Sequence, residues 1–175
     1  MLESIKRYKS ALGFIIKFFA TYSILTYVYS LYLSNFDGQP DGITQVVAHQ
    51  TETIIDAFGY DSKVEIHDSE PTMKLLIHDK YVGRIVEGCN SISVLILFVT
   101  FVIAFTGNLK NTILFVLIGS VLVYLANLFR LVVLGIGLYR FPEQEYVLHH
   151  IVFPTIIYGM VFLLWMLWVQ KFSKK

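Results

Sequence analysis

The one cysteine of the chain, Cys89, stands in the run Glu87-Gly88-Cys89-Asn90-Ser91, directly ahead of a long apolar stretch. As packing, a free cysteine is a small buried hydrophobe. As chemistry, it is a nucleophile: the thiolate is the reactive form, and the unsatisfied N–H groups and positive dipole end of a helix N-terminus favour it. Arg130, in Asn127-Leu128-Phe129-Arg130, is the one charge between Asn111 and Tyr139. An arginine among Ala126, Leu128, Phe129, Leu131, Val132 and Val133 costs several kcal/mol without a partner or water, so it is a functional candidate, and snorkelling to a membrane boundary is its plain alternative. His149 and His150 sit together near Tyr146; alone they would be interfacial decoration. A thiolate, a guanidinium that stabilises it or an oxyanion, and an imidazole that protonates a leaving amine would together make a nucleophilic acyl-transfer site. Glu87 is a supporting candidate, through helix capping or by pairing with Arg130 or orienting His150, and Asn90 and Asn127 flank the same residues.

The elements that must position these side chains are membrane spans. The 175 residues are 55% hydrophobic and 15% charged, against roughly 45–50% and 25% in soluble domains. That excludes an ordinary soluble domain. Fourteen Lys and Arg nearly cancel thirteen Asp and Glu, with no basic stripe carrying interleaved aromatics, which argues against a nucleic-acid binder. One thiol rules out an intramolecular disulfide or a cysteine metal cluster, and His49, His67 and His78 lack ligand-like spacing, so neither a metal nor another cofactor is expected.

A span needs about 20 apolar residues. Four candidates meet or approach this: Ala11–Leu33, interrupted only by Lys17; Asn90–Thr106; Asn111–Tyr139; and Val147–Val169. The first is too long and too aromatic for a signal-peptide core and reads as a retained anchor. The polar run Thr106-Gly107-Asn108-Leu109-Lys110 reverses the chain between the second and third. The third, at over about 40 Å, must tilt, kink near Gly135 and Gly137, or project beyond the lipid. Trp165 and Trp168 are expected as interfacial anchors of the fourth. With the N-terminus cytoplasmic, Lys6, Arg7, Lys9, Lys110, Lys171, Lys174 and Lys175 fall inside with one acid, Glu3, and the other twelve acids fall outside, in accord with the positive-inside rule. Cys89, Arg130 and the histidine pair then share one depth at the external boundary.

Between the first two spans, residues 34–88 form the one water-soluble segment. Asp41 to Phe58 places Ile43, Val46, Val47, Ile54, Ile55 and Phe58 at helical spacing, with Asp41 as cap; Lys63 to Ile66, Thr72 to His78 and Lys80 to Val86 read as strands, the last two joined at Asp79-Lys80. About 55 residues bury little core alone, so the segment should pack over the outer ends of the later spans. The expectation is an all-α polytopic membrane protein of about four spans with a small external α+β segment: residues 1–33 as cytoplasmic N-terminus and first helix, 34–88 external, 89–170 a core of three helices, and 171–175 a basic cytoplasmic tail.

Glu87-Gly88-Cys89-Asn90-Ser91 before an apolar span resembles the cysteine motif of the exosortase and archaeosortase family. Asn127-Leu128-Phe129-Arg130 resembles its N-x-x-R motif, and His150-Ile151-Val152-Phe153-Pro154 its histidine at the head of the last helix. The resemblance covers roughly Glu87 to Trp168, and the short four-span exosortase F members look closest. It implies a cysteine transpeptidase or protease of the bacterial inner membrane, cleaving at the outer face a C-terminal signal made of a short motif, a transmembrane helix and a basic tail on an exported protein. Cys89 would be the nucleophile, with Arg130 and His150 completing the site. His149 competes with His150, and the family's spacing from the histidine to a helix-bending Gly or Pro favours the latter. Asn90 and Ser91 stand where many members have Ser and Gly. Two other classes remain: a non-catalytic membrane scaffold for exported partners, in which Cys89 would be replaceable without loss, and a small transporter, disfavoured because no span carries a polar stripe across the bilayer.

Overall fold

The computed structural model describes residues 2–36, 38–105, 107–147 and 151–172. In chain order these form α1 (Leu2–Leu33), α2 (Gly42–Ala57), β1 (Ser62–Ile66), β2 (Met73–Ile77), β3 (Lys80–Ile85), a 3-10 turn (Glu87–Cys89), α3 (Ile92–Ala104), α4 (Leu109–Arg140), a second 3-10 turn (Pro142–Gln144), the single turn α5 (Glu145–Val147), and α6 (Phe153–Leu167), which runs on as a π-helical turn over Trp168–Phe172. The chain is mostly helical with one small sheet. Among the described residues, three helical segments are long and apolar enough to cross a membrane, namely Ala11–Leu33, Leu109–Arg140 and Pro154–Lys171.

The expected second span is shorter than its apolar run. Thirteen residues of α3 rise about 20 Å, short of a hydrocarbon core of about 30 Å. Both ends are cut back for local reasons. Asn90 spends its side-chain carbonyl on the Ile92 N–H at 3.0 Å, Ser91 is left-handed at φ 70°, and Phe105 leaves the helix with an extended ψ of 128°.

Aromatic contacts fix how the helices run. Phe14 of α1 meets Phe101 and Phe105 at ring distances of 5.9 and 4.6 Å, while Tyr29, four turns on, meets Asn90, so α1 and α3 are antiparallel. At the Phe105 end Trp165 stacks on Phe101 at 4.2 Å and Trp168 lies against Phe115 at 4.9 Å, so α6 descends from the Asn90 end. Trp168 is fully buried rather than an interfacial anchor, and Gly107 makes the room: a Cβ there would come within 3.1 Å of the indole. Phe98, Val102, Val123, Val161, Leu164 and Trp168 form the core of this bundle.

Phe98 sits directly on Gly119 of α4, where an added Cβ would lie 2.3 Å from its ring. Phe98 is completely enclosed, so the ring has nowhere to turn. Gly119→Ala is therefore expected to destabilise the protein by about 1–3 kcal/mol. A second substitution, Phe98→Leu, should restore part of the loss in the double variant, a coupling that thermal unfolding of the four proteins would measure.

Between α1 and the first 3-10 turn, one helix packs on an antiparallel sheet of order β1-β2-β3. Ser62 to Ile66 pair with Ile77 to Met73, and β2 pairs with β3 across a bulge at Leu75 and Leu76. The β2–β3 reversal is a two-residue turn at His78 and Asp79, both at positive φ (51° and 58°), a conformation that suits the right-handed twist of a hairpin; it falls one residue earlier than Asp79-Lys80. Asp41 caps α2 as expected, accepting from the N–H groups of Ile43 and Thr44 at 3.0 and 3.1 Å. The buried face of α2 is Thr44, Val47, Ala48, Thr51 and Ile55, whereas Val46 and Phe58, expected inside, are exposed. On the rim, the Lys74 ammonium bonds Asp68 and holds its carboxyl below the usual range; such exposed pairs contribute little stability.

What completes this small unit is α4. At 32 residues it is about 48 Å long, and it projects beyond the bundle without breaking. Leu128, Leu131 and Val132 join Val47, Ala48, Ile55, Val64, Met73, Leu75, Ile77 and Ile85 in a single core. Gly135 permits a close approach rather than a kink: a Cβ there would meet Leu75 at 3.0 Å and Ile55 at 3.2 Å. Higher up, Tyr139 packs edge-on against Tyr60.

Candidate active site

Cys89 ends the 3-10 turn, its N–H bonded to Val86 O at 2.8 Å, and belongs to the core shared by the sheet and α4. It is a free thiol and largely buried. It precedes α3 by three residues rather than opening the helix, because Asn90 and Ser91 intervene. Three helices hold Cys89 and Asn90 of this short link. Asn127 of α4 donates its amide to the Cys89 carbonyl at 2.7 Å. Asn90 donates to the Tyr29 hydroxyl of α1 at 2.8 Å and to the Thr44 hydroxyl of α2 at 3.2 Å, and Thr44 in turn donates to the Asp41 carboxylate. Asn90, Ser91, Asn127, Thr44 and Asp41 are all buried. Buried polar groups with their hydrogen bonds made hold a unique geometry, and each broken partner costs about 1–3 kcal/mol. The thiol-bearing backbone is thereby pinned from three sides.

Ser91 adds strain. A left-handed L-residue costs of order 1–2 kcal/mol relative to its ordinary conformation, and glycine does not bear that cost. Ser91→Gly should leave both stability and activity intact, whereas the β-branched Ser91→Val should lose about 1–3 kcal/mol in a denaturation titration. Equal tolerance of the two variants would contradict the strain.

Arg130 lies one turn beyond Asn127 on α4, and residues three apart share a helix face. It is half-buried, its Nε is shielded from solvent, and among the described residues that atom has no hydrogen-bond partner. Its helix neighbours Leu128, Leu131 and Val132 are in the same packing cluster as Cys89. Glu87 is close enough to the Tyr29 hydroxyl to interact with it, as is Asp41. His149 and His150 lie outside the described residues; α6 begins three residues after His150, and its descent places its N-terminal end at the Cys89 side of the bundle. Among the described residues no group of three or more His, Cys, Asp or Glu could hold a metal ion.

Tyr29 and Thr44 belong to this site and were not legible beforehand. Tyr29 is one of many aromatics in its span and 61 residues from its partner. The only available signal was that Tyr29 and Tyr32 lie one turn apart at the polar end of the span.

Helices long and apolar enough to cross a membrane, with a small helix-and-sheet unit built on one of them, mark a membrane protein. The family model described as transmembrane exosortase (Exosortase_EpsH) matches residues 9–169, and the chain belongs to that family. Its members are generally cysteine-type peptidases or transpeptidases. No curated protein and no solved structure matches the chain significantly.

Proposed function

We propose that this exosortase, of the short F type, cleaves a C-terminal sorting signal from exported proteins at the outer face of the bacterial inner membrane, through a thioester on Cys89. The observation that carries the reading is a Cys89–Asn90 link fixed by α1, α2 and α4, together with an Arg130 Nε, one turn from Asn127, that is shielded and has no hydrogen-bond partner among the described residues. In this mechanism the Cys89 thiolate attacks the scissile carbonyl carbon and the carbonyl pair moves to oxygen, where Arg130 stabilises it. Collapse breaks the C–N bond as His150 gives its proton to the leaving amine. Water or an acceptor amine then loses a proton to His150 and attacks the thioester, which releases the thiolate. The supporting role of Glu87 becomes one of holding Tyr29, and through it Asn90.

The outer-face assignment rests on charge. The acidic soluble segment shares its end of the bundle with Cys89, and Lys110 marks the other end. In the proposed topology α3, short as it is, makes the second of four passes. The proposed substrate, with its transmembrane helix and basic tail, is the one the resemblance of the three motifs implies. A Cys89→Ala strain is expected to accumulate the full-length precursor of an exported protein, visible by mass as an uncleaved C-terminal helix. Normal processing in that strain would instead favour a scaffold role.

A further inference from the structure

Away from Cys89, between α1 and α4, lies a cavity of about 500 Å³ lined by Lys17, Ile103, Phe105, Leu109, Ile113 and Val116 among others. Its walls are apolar save for Lys17 and for Thr112, whose hydroxyl is already spent on Asn108 O at 3.0 Å. A lipid-facing apolar space of this kind fills with hydrocarbon rather than water. A helix does not fit: at a diameter of about 10 Å, 500 Å³ holds little more than one turn. A fatty-acyl chain does fit.

The charge around the cavity selects the headgroup. Lys17 is in none of the salt bridges among the described residues. Twelve of the thirteen acids fall at positions 37–87, 143 and 145, at the opposite end or beyond it, which leaves only Glu3 on this side in sequence. Lys110 and the positive end of the α4 dipole add to the same field. We propose that this groove is a binding site for one anionic phospholipid of the leaflet on the Lys110 side, with an acyl chain between α1 and α4 and its phosphate on Lys17.

The tryptophans report on it, since Trp168 lies against Gly107, which lines the cavity. The full-length protein in phosphatidylcholine bilayers would be titrated with phosphatidylglycerol or phosphatidylcholine brominated in the acyl chains, and fluorescence quenching followed. About a fivefold preference for the anionic lipid is expected, the size of effect one lysine near an anionic surface produces. Lys17→Arg should keep it and Lys17→Gln should remove it. Equal quenching by the two lipids, or a preference that survives Lys17→Gln, would overturn the site. Native mass spectrometry of the unmodified protein gives a test free of any variant: one retained phosphatidylglycerol is expected. No adduct, an equal phosphatidylcholine adduct, or a dimer in its place would each overturn it.

Discussion

Arg130→Lys is expected to lower substrate processing by about 10²–10³-fold while the protein still folds and inserts, which is the usual loss when one oxyanion donor is removed. Charge is retained in this variant, so a purely electrostatic or snorkelling arginine would tolerate it. What is lost is the planar fork, which can bond one acceptor through Nε and another through its terminal nitrogens. The Nε is shielded and has no partner among the described residues, which is why the loss should appear in the chemical step. Processing rates in membrane vesicles at several substrate levels would show a fall in kcat with KM little changed. Full activity in Arg130→Lys would remove the guanidinium from the mechanism.

His150→Ala is expected to reduce turnover by about 10²–10⁴-fold, the contribution of a positioned general acid and base, and His149→Ala only by a few-fold. The two adjacent histidines differ by about 100° around a helix, so only one can face the thiol if the turn ahead of α6 is helical. His150 is also the one that falls at the family's spacing. Reversal of that order, at equal protein levels, would hand the role to His149. An acid–base role further requires that the pH profile of the residual activity lose a limb in the affected variant, which a structural histidine would not cause.

The candidate residues drew attention because they are rare in their surroundings. A lone thiol at a polar–apolar junction, the one charge within a 29-residue apolar run and a histidine pair at a helix head stand out from the leucines and valines around them. The hairpin and the Asp41 cap were legible because turn and cap chemistry is local. The bonds that pin Cys89 were not. Asn90 reaches Tyr29 and Thr44 across 61 and 46 residues, and a tyrosine in an aromatic-rich span carries no mark of its partner. The length of α3 was overestimated because apolar composition says nothing about where backbone dihedrals leave the helix, which Ser91 and Phe105 decide. Hydropathy alone also misassigned Trp168, since an indole suits an interface and a well-packed core equally, and only the space above Gly107 distinguishes them. The length of α4 was legible from its apolar run, but its service as core for the sheet was not, because it depends on the small Gly135, whose contacts are made with α2 and β2.

The central claim is that the thiol of Cys89 becomes acylated by substrate at a site that includes Arg130. Its most direct measurement is to arrest the reaction in acid with processing under way and to search by mass spectrometry for a hydroxylamine-sensitive adduct on the peptide that contains Cys89. The account predicts a thioester to the new C-terminus of the cleaved protein, absent in Cys89→Ala and scarce in Arg130→Lys. Continued processing of the exported protein with Cys89 unmodified, or with Cys89 replaced by alanine, would contradict it.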